Sequence, residues 1–444
     1  MQLVRGIGLA VALALTACGE AADPEAPAGA AAAPAGLLAE AIAEAAGKHE
    51  SQVVAWRRDF HEHPELSNRE FRTADVVAGE LERMGLVVRR KVAHTGVVAL
   101  LEGARPEPVV ALRADMDALP VTEETRLPFA SRVRTEFDGR DVGVMHACGH
   151  DAHTAILLGV AKTLSGMRDE LPGSVLFVFQ PAEEGAPAGE QGGARLMLEE
   201  GVFERPRPGA VFGLHVVPQH EAGEIGWRSR GAMASSDGLR IVVHGRQTHA
   251  AYPWLGVDPI SVAARTILAL QALPARAVDA RIPAVVSIGQ VNGGVRGNII
   301  PDSVELVGTI RALEPVLRES LHEKVQATAE GLAAAAGARA EVTIRRGYPV
   351  TYNDPELVRA MLPTLERVAP GRVIEALPRT GAEDFSYFAR EVPGFYFWLG
   401  IRSPGTRPED AAPNHSPLFR VDESALELGV RALSNVAVDW LAAN

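Results

Sequence analysis

Two cysteines in 444 residues, Cys18 and Cys148, are all the thiol that this sequence carries. If Cys18 is taken out of pairing, as argued below, Cys148 has no partner in the chain, so a disulfide framework is excluded even in an oxidising compartment. Basic clusters are equally scarce. With a net charge of -12, a pI near 5.6 and no concentrated run of Lys or Arg, the chain lacks the positive patch that a phosphate backbone requires. Nucleic acid is thereby excluded as a partner. Internal repeats are absent too. What is left is a globular chain whose 47% hydrophobic residues suffice to bury two cores, and whose length points to two domains.

The N-terminus reads as a targeting segment. Arg5 precedes an apolar core from Ile7 to Leu15, too short to span a bilayer as a mature helix, and small residues follow. Leu15-Thr16-Ala17-Cys18 resembles a bacterial lipobox, in which the Cys becomes the new N-terminus and carries lipid chains. The expectation is a lipoprotein-type signal over residues 1–18 and an exported chain anchored by lipid at the periplasm or cell surface. An ordinary signal peptide cleaved near Ala17 or Ala22 is the alternative. Residues 19–36 are Ala, Pro and Gly with scattered acids and no apolar period, which predicts a disordered tether.

Helix and strand signals alternate from there. Helices are predicted over about 37–60 and 70–85, short strands over 87–92, 97–101 and 109–112, a helix from 151 to 164, and strands over 175–179 and 211–214. Between about Gly231 and Tyr348 the rhythm changes to strand 239–244, helix 259–273, strands 284–291 and 303–311, helix 315–336 and strand 340–345. That β-α-β-β-α-β order is ferredoxin-like and closes its own core, so 231–348 is predicted as a second domain inserted into the first. The α/β pattern then resumes over 349–444. The expected fold is α/β: a mixed-sheet catalytic domain in two pieces, 37–230 and 349–444, carrying the insert as a lid or dimerisation domain.

One stretch concentrates donors for a metal. Met145-His146-Ala147-Cys148-Gly149-His150-Asp151-Ala152-His153 packs a thiol and three imidazoles together, and Cys148 with His150, two apart, can face one ion from a turn. Further donors follow at the ends of strand-like runs: Glu183 and Glu184 after Gln180-Pro181, His215 after Gly213-Leu214, and His415 in Asn414-His415-Ser416-Pro417. Strand exits are where α/β enzymes build sites. Asp117, two residues past a strand end, is placed to hold a ligating imidazole in one tautomer.

These residues carry a resemblance. The segments RADMDALP, MHACGHDAH, QPAEEG, GLHV, THAAYP, NIIPD, GTIR, TGAEDFSYF and NHSPLF, in this order, resemble the metal-dependent N-acyl-amino-acid amidohydrolases. That family includes hippurate hydrolase and the plant indole-acetyl-amino-acid hydrolases, and is related to aminoacylase and carboxypeptidase G. The resemblance covers nearly everything after the tether. It implies two divalent metal ions, Zn or Mn, held by Cys148, His150, Glu184, His215 and His415, with Glu183 as the catalytic acid/base carboxylate. Asp115 stands where many relatives have a metal-binding His. The resemblance further implies that His249 donates to the oxyanion of the tetrahedral intermediate, often across a homodimer formed through the insert. Asn298 and Arg311 are candidates for the substrate's carboxylate, Arg311 through its fork geometry, with a structural ion pair as the other reading of Arg311. The implied reaction is hydrolysis of the amide of an N-acyl amino acid. A dipeptidase or carboxypeptidase on the same scaffold is the alternative, and a non-catalytic ligand-binding lipoprotein a more distant one.

Overall fold

The computed structural model describes Gly36 and residues 38–444. The signal segment and all of the tether but Gly36 therefore lie outside the described residues. Ahead of the insert come α1 (Ala39–Glu62), α2 (Phe71–Arg83), β1 (Val87–Val92), β2 (Gly96–Leu101), β3 (Val109–Asp115), α3 (His150–Ser165), β4 (Ser174–Gln180), β5 (Ala210–Glu221) and β6 (Ile225–Trp227). The insert holds β7 (Asp237–His244), α4 (Pro259–Arg276), β8 (Ala284–Gly293), β9 (Ser303–Ala312), α5 (Pro315–Ala335) and β10 (Arg339–Arg346). After it come α6 (Pro355–Val368), β11 (Val373–Glu375), β12 (Gly394–Arg402) and α7 (Ala425–Ala443).

The large sheet has the order β1-β2-β4-β3-β5-β12-β6-β11. Its centre is parallel, from β4 through β3 and β5 to β12, and antiparallel pairs flank it. The sequence explains the centre: Val109–Asp115 and Ser174–Gln180 are buried at every position, the unalternating pattern of a strand covered on both faces. Helices α1, α3 and α7 cover one face, and α3 is buried nearly all round, as an internal helix must be. Short helices Gly193–Glu199 and Phe385–Glu391 cover the other. Each fully buried Phe or Leu in these layers contributes about 2 kcal/mol.

The insert forms a four-stranded antiparallel sheet, β8-β9-β7-β10, with α4 and α5 packed on it and a separate apolar core that includes Leu239, Ile241, Leu306 and Leu321. The two chain crossings lie side by side, Arg230–Met233 pairing antiparallel with Thr351–Asn353. The fold class is the mixed α/β architecture that the sequence suggests. Several elements differ in detail. Strand β5 runs through His215 to Glu221 instead of stopping at Leu214, because β12 pairs with it beyond the point where its pairing with β3 ends, at Gly213. Strands β6 and β11, three residues each, and the hairpin Arg134–Phe137/Arg140–Gly143 are too short to leave a period in the sequence. No helix among the described residues is long and apolar enough to cross a membrane.

Candidate metal centre

The staggered end of the central strands leaves a crevice into which three loops and strand β5 deliver side chains. The first is Cys148-Gly149-His150. Gly149 has φ +94°, and a Cβ there would stand 2.2 Å from Val216 Cγ2, so only glycine makes this corner. The corner turns Cys148 and the first residue of α3, His150, toward one point. His150 Nδ1 lies 2.8 Å from the Asp117 carbonyl oxygen and 3.2 Å from Asp117 Oδ1. A carbonyl only accepts, so Nδ1 carries the proton, and Nε2 is buried with no hydrogen-bond partner. His215 repeats the arrangement: its Nδ1 donates to the Val216 carbonyl at 2.8 Å, and Nε2 stands 3.4 Å from Cys148 Sγ.

The second loop follows β4. Ala182, at φ +53°, donates its amide to the Glu70 carboxylate at 2.9 Å, and the Glu184 amide donates to Asp117 Oδ2 at 3.0 Å. Asp117 therefore orients His150 and pins the glutamate loop at once. The last loop brings His415, also in the left-handed region at φ +71°, with Nε2 3.2 Å from Glu184 Oε1. Asn414 ties this loop back to the Cys148 carbonyl at 3.1 Å. Left-handed backbone at two non-glycine positions in one crevice is the kind of strain that accumulates at functional sites.

Donor atoms of Cys148, His150 and His215 lie within 4.8 Å of one another, as do those of Cys148, Glu184 and His415, and those of His150, Glu183 and Glu184. Cys148 belongs to two of these sets. The 3.4 Å between Cys148 Sγ and His215 Nε2 matches the edge of a tetrahedron built on bonds of about 2.0–2.3 Å. With Nε2 of His150 buried and unpartnered, and Oε1 of Glu184 facing the imidazole of His415, the donor set fits a metal. His153 is not free to join. Its Nδ1 donates to Asp115 at 2.6 Å and its Nε2 accepts the Val216 amide at 2.9 Å.

The electrostatics point the same way. Burial pushes the Glu183 carboxyl well above the usual carboxylate range, and Glu383 and Glu184 add to this. Burial likewise pushes the Cys148 thiol up, with Glu184 and Glu183 contributing. His150 is pushed up to about 10, since Asp115 and Asp117 outweigh the burial that pulls it down. All three shifts reflect buried groups among more acids than cations, which is the condition that a bound metal relieves. The one buried arginine here, Arg113, is already shared among Asp115, Glu383 and Asp384 at 2.7–3.0 Å.

The crevice encloses about 330 Å³, lined by Cys148, Glu183, Glu184, His215 and His415 together with Arg379, Glu383, Trp398 and Asn414. A second cavity of about 440 Å³ shares only Glu184 with it and opens toward the exposed hairpin at Arg134–Phe137. The first is lined by most of the donors and is the candidate site. Of the residues singled out from sequence, Cys148, His150, Glu183, Glu184, His215, His415 and Asp117 converge here. His249 and Asn298 do not. They lie exposed on a small ribbon of the insert, where the Ala250 amide donates to the Asn298 carbonyl at 3.0 Å, and neither lines the crevice. Arg311, on β9, is also absent from the crevice and makes no ion pair among the described residues. Arg379 and Glu383 were not singled out. Glu383 lies in the TGAEDFSYF segment, but nothing local in a sequence marks an arginine that has no acid to pair with.

A crevice of this kind in this fold defines a metal-dependent hydrolase. The chain belongs to peptidase family M20/M25/M40, whose sequence profile matches residues 111–439. It is 39% identical over 393 residues to Thermostable carboxypeptidase 1 of Saccharolobus solfataricus, covering 88% of this chain and 96% of that protein. To the N-acetylcysteine deacetylase of Bacillus subtilis it is 38% identical over 389 residues, 87% of this chain and 96% of the other. Among solved structures it resembles the Bacillus subtilis YXEP protein, described as a dinuclear metal binding peptidase, at 36% identity and a TM-score of 0.75, covering 89% of this chain and 99% of that one. The protein is accordingly a metallo-hydrolase acting on amides.

Proposed function

We propose that the protein hydrolyses the amide bond between an acyl group and an amino acid, using two divalent ions, zinc or manganese, held by Cys148, His150, Glu184, His215 and His415. The observation that carries this reading is the pair of donor sets sharing Cys148, beside a glutamate, Glu183, that neither of those two sets contains. When bound, the metals polarise the scissile carbonyl and lower the proton affinity of the attacking water. Glu183 takes the proton from that water and returns it to the leaving amine, a role suited to a carboxyl whose proton affinity burial has raised. Asp117 keeps the Nδ1 proton of His150 in place. A relative named as a carboxypeptidase also keeps open the release of a C-terminal amino acid from a small peptide.

The test is a panel of N-acetyl, N-benzoyl and indole-acetyl conjugates of Gly, Leu, Phe and Cys beside matching dipeptides, run on chelated and reloaded protein. Cleavage of the conjugates that disappears with chelation and returns with zinc or manganese is expected. Cleavage of dipeptides alone would move the reading to a peptidase, and turnover unaffected by chelation would remove the metals from it.

The oligomer and the location belong to the same proposal. The outer strands β8 and β10 leave open sheet edges, and beside His249 the side chains of Tyr252, Trp254 and Leu255 are 51%, 72% and 60% exposed. An aromatic patch of this sort asks for a partner surface, and a second copy of the insert across a two-fold axis supplies one. Export and lipid anchoring rest on Arg5, the Ile7–Leu15 core and Cys18. Cys18→Ser is expected to leave protein that is unprocessed or released in soluble form, whereas wild type partitions with membranes and both are equally active. Detergent-free fractionation that finds wild type wholly soluble removes the anchor.

A further inference from the structure

We propose that Arg379 recognises the free α-carboxylate on the amino-acid side of the cleaved bond, so that substrates are amides of amino acids with an unblocked carboxyl end. This rests on the amide hydrolysis proposed above and narrows it. The crevice wall holds three glutamates, Glu183, Glu184 and Glu383, yet Arg379, in the same wall, has no carboxylate within 4.0 Å among the described residues. The contrast with Arg113 is direct, since that guanidinium is consumed by the acids of the fold. Arg379 spends one N–H on Gln219 Oε1 at 2.8 Å and lies over the Trp398 ring at 5.5 Å, which leaves most of its donors unspent. Burial lowers its proton affinity, the sign of a cation short of counter-charge.

Its position is held from both sides. The Arg379 amide donates to the Ala232 carbonyl at 2.9 Å, and the Ala234 amide donates to the Arg379 carbonyl at 3.0 Å. The residue is thus fixed to the ribbon where the insert leaves the large domain, and its neighbour Met233 lines the crevice with it. In an amide of an α-amino acid a single carbon separates the reacting nitrogen from the carboxylate. The group that binds the carboxylate must therefore stand in the same small crevice as the donors that hold the metal. A guanidinium fork stacked on an aromatic ring is pre-organised for a planar carboxylate, with two parallel N–H donors.

The recognition applies equally to an N-acyl amino acid and to a peptide cut at its last bond. It excludes amidated and esterified ends. Two probes that differ only there, the best-cleaved conjugate of the panel and its carboxamide, are compared on metal-loaded wild type, Arg379→Met and Arg379→Lys. Wild type is expected to prefer the acid. Arg379→Met is expected to lower kcat/KM for the acid by roughly ten- to a hundredfold more than for the amide, mainly through KM, with Arg379→Lys between the two. On a Glu183→Gln background, where turnover is blocked, calorimetry is expected to find the same loss of binding for the acid and little for the amide. Equal losses on both probes would make Arg379 a structural support and overturn the inference. Wild type that cleaves acid and amide alike overturns it while leaving amide hydrolysis in place, and wild type that cleaves neither overturns both.

Discussion

Glu183→Gln is expected to lower kcat by about a hundredfold or more while metal content stays at the wild-type level. Glutamine keeps the shape of the side chain and loses the ability to carry a proton between water and amine. The backbone should hold, because the Glu183 carbonyl accepts from the Tyr348 hydroxyl at 2.7 Å and the following amide is pinned by Asp117. Glu183 is 6% exposed and is flanked by Glu383 and Asp384 within 4.8 Å. Glutamine adds no charge to that crowd, so a fall in activity cannot be assigned to electrostatic damage to the fold. Glu184→Gln is the contrasting variant, expected to lose metal together with activity. Metal analysis by mass spectrometry beside steady-state kinetics separates them. If Glu183→Gln loses its metal, or keeps its activity, the proton-transfer role belongs elsewhere.

His249→Ala is expected to cost roughly a hundredfold in kcat through a lost oxyanion donor, again with metal content unchanged. Within one chain this has no geometric basis: His249 is exposed, its Nδ1 accepts the Ala251 amide at 3.0 Å, and it lies outside the crevice. The role therefore depends on the proposed dimer carrying His249 to the metals of the other copy. Subunit exchange between His249→Ala and Glu183→Gln tests this. Acting in trans, one site of each mixed dimer holds both an intact Glu183 and an intact His249, and about a quarter of wild-type activity returns after statistical exchange. Absence of recovery, once mass measurements confirm the mixed species, removes the shared site. A monomer in solution at assay concentration would do the same more directly.

Strand exits and glycine corners are local, and this is why so much of the crevice was legible in the chain. Cys148, Gly149 and His150 make their corner from adjacent residues, and the apolar run before Glu183 says where a strand hands over to a loop. The β-α-β-β-α-β order of the insert was legible for a similar reason, since each of its helices and strands is long enough to show a period. Strands of three residues show none, and so β6 and β11 at the far edge of the large sheet went unseen.

By itself the sequence determined the fold class and pointed to an inserted unit and a donor set, all properties set by side-chain periodicity and by residues close together in the chain. Tertiary structure alone decided which of the candidates meet. It placed His153 between Asp115 and a backbone amide, where both ring nitrogens are used, and left Nε2 of His215 beside the Cys148 thiol with Nε2 of His150 in the same donor set. It set His249, Asn298 and Arg311 apart from the crevice and brought Arg379 into it without an acid to neutralise it. Whether a charge is paired depends on residues hundreds of positions away, as Arg113 with Glu383 and Asp384 illustrates. Pairing of that kind arises only when the sheet has closed around it, and no local pattern records it.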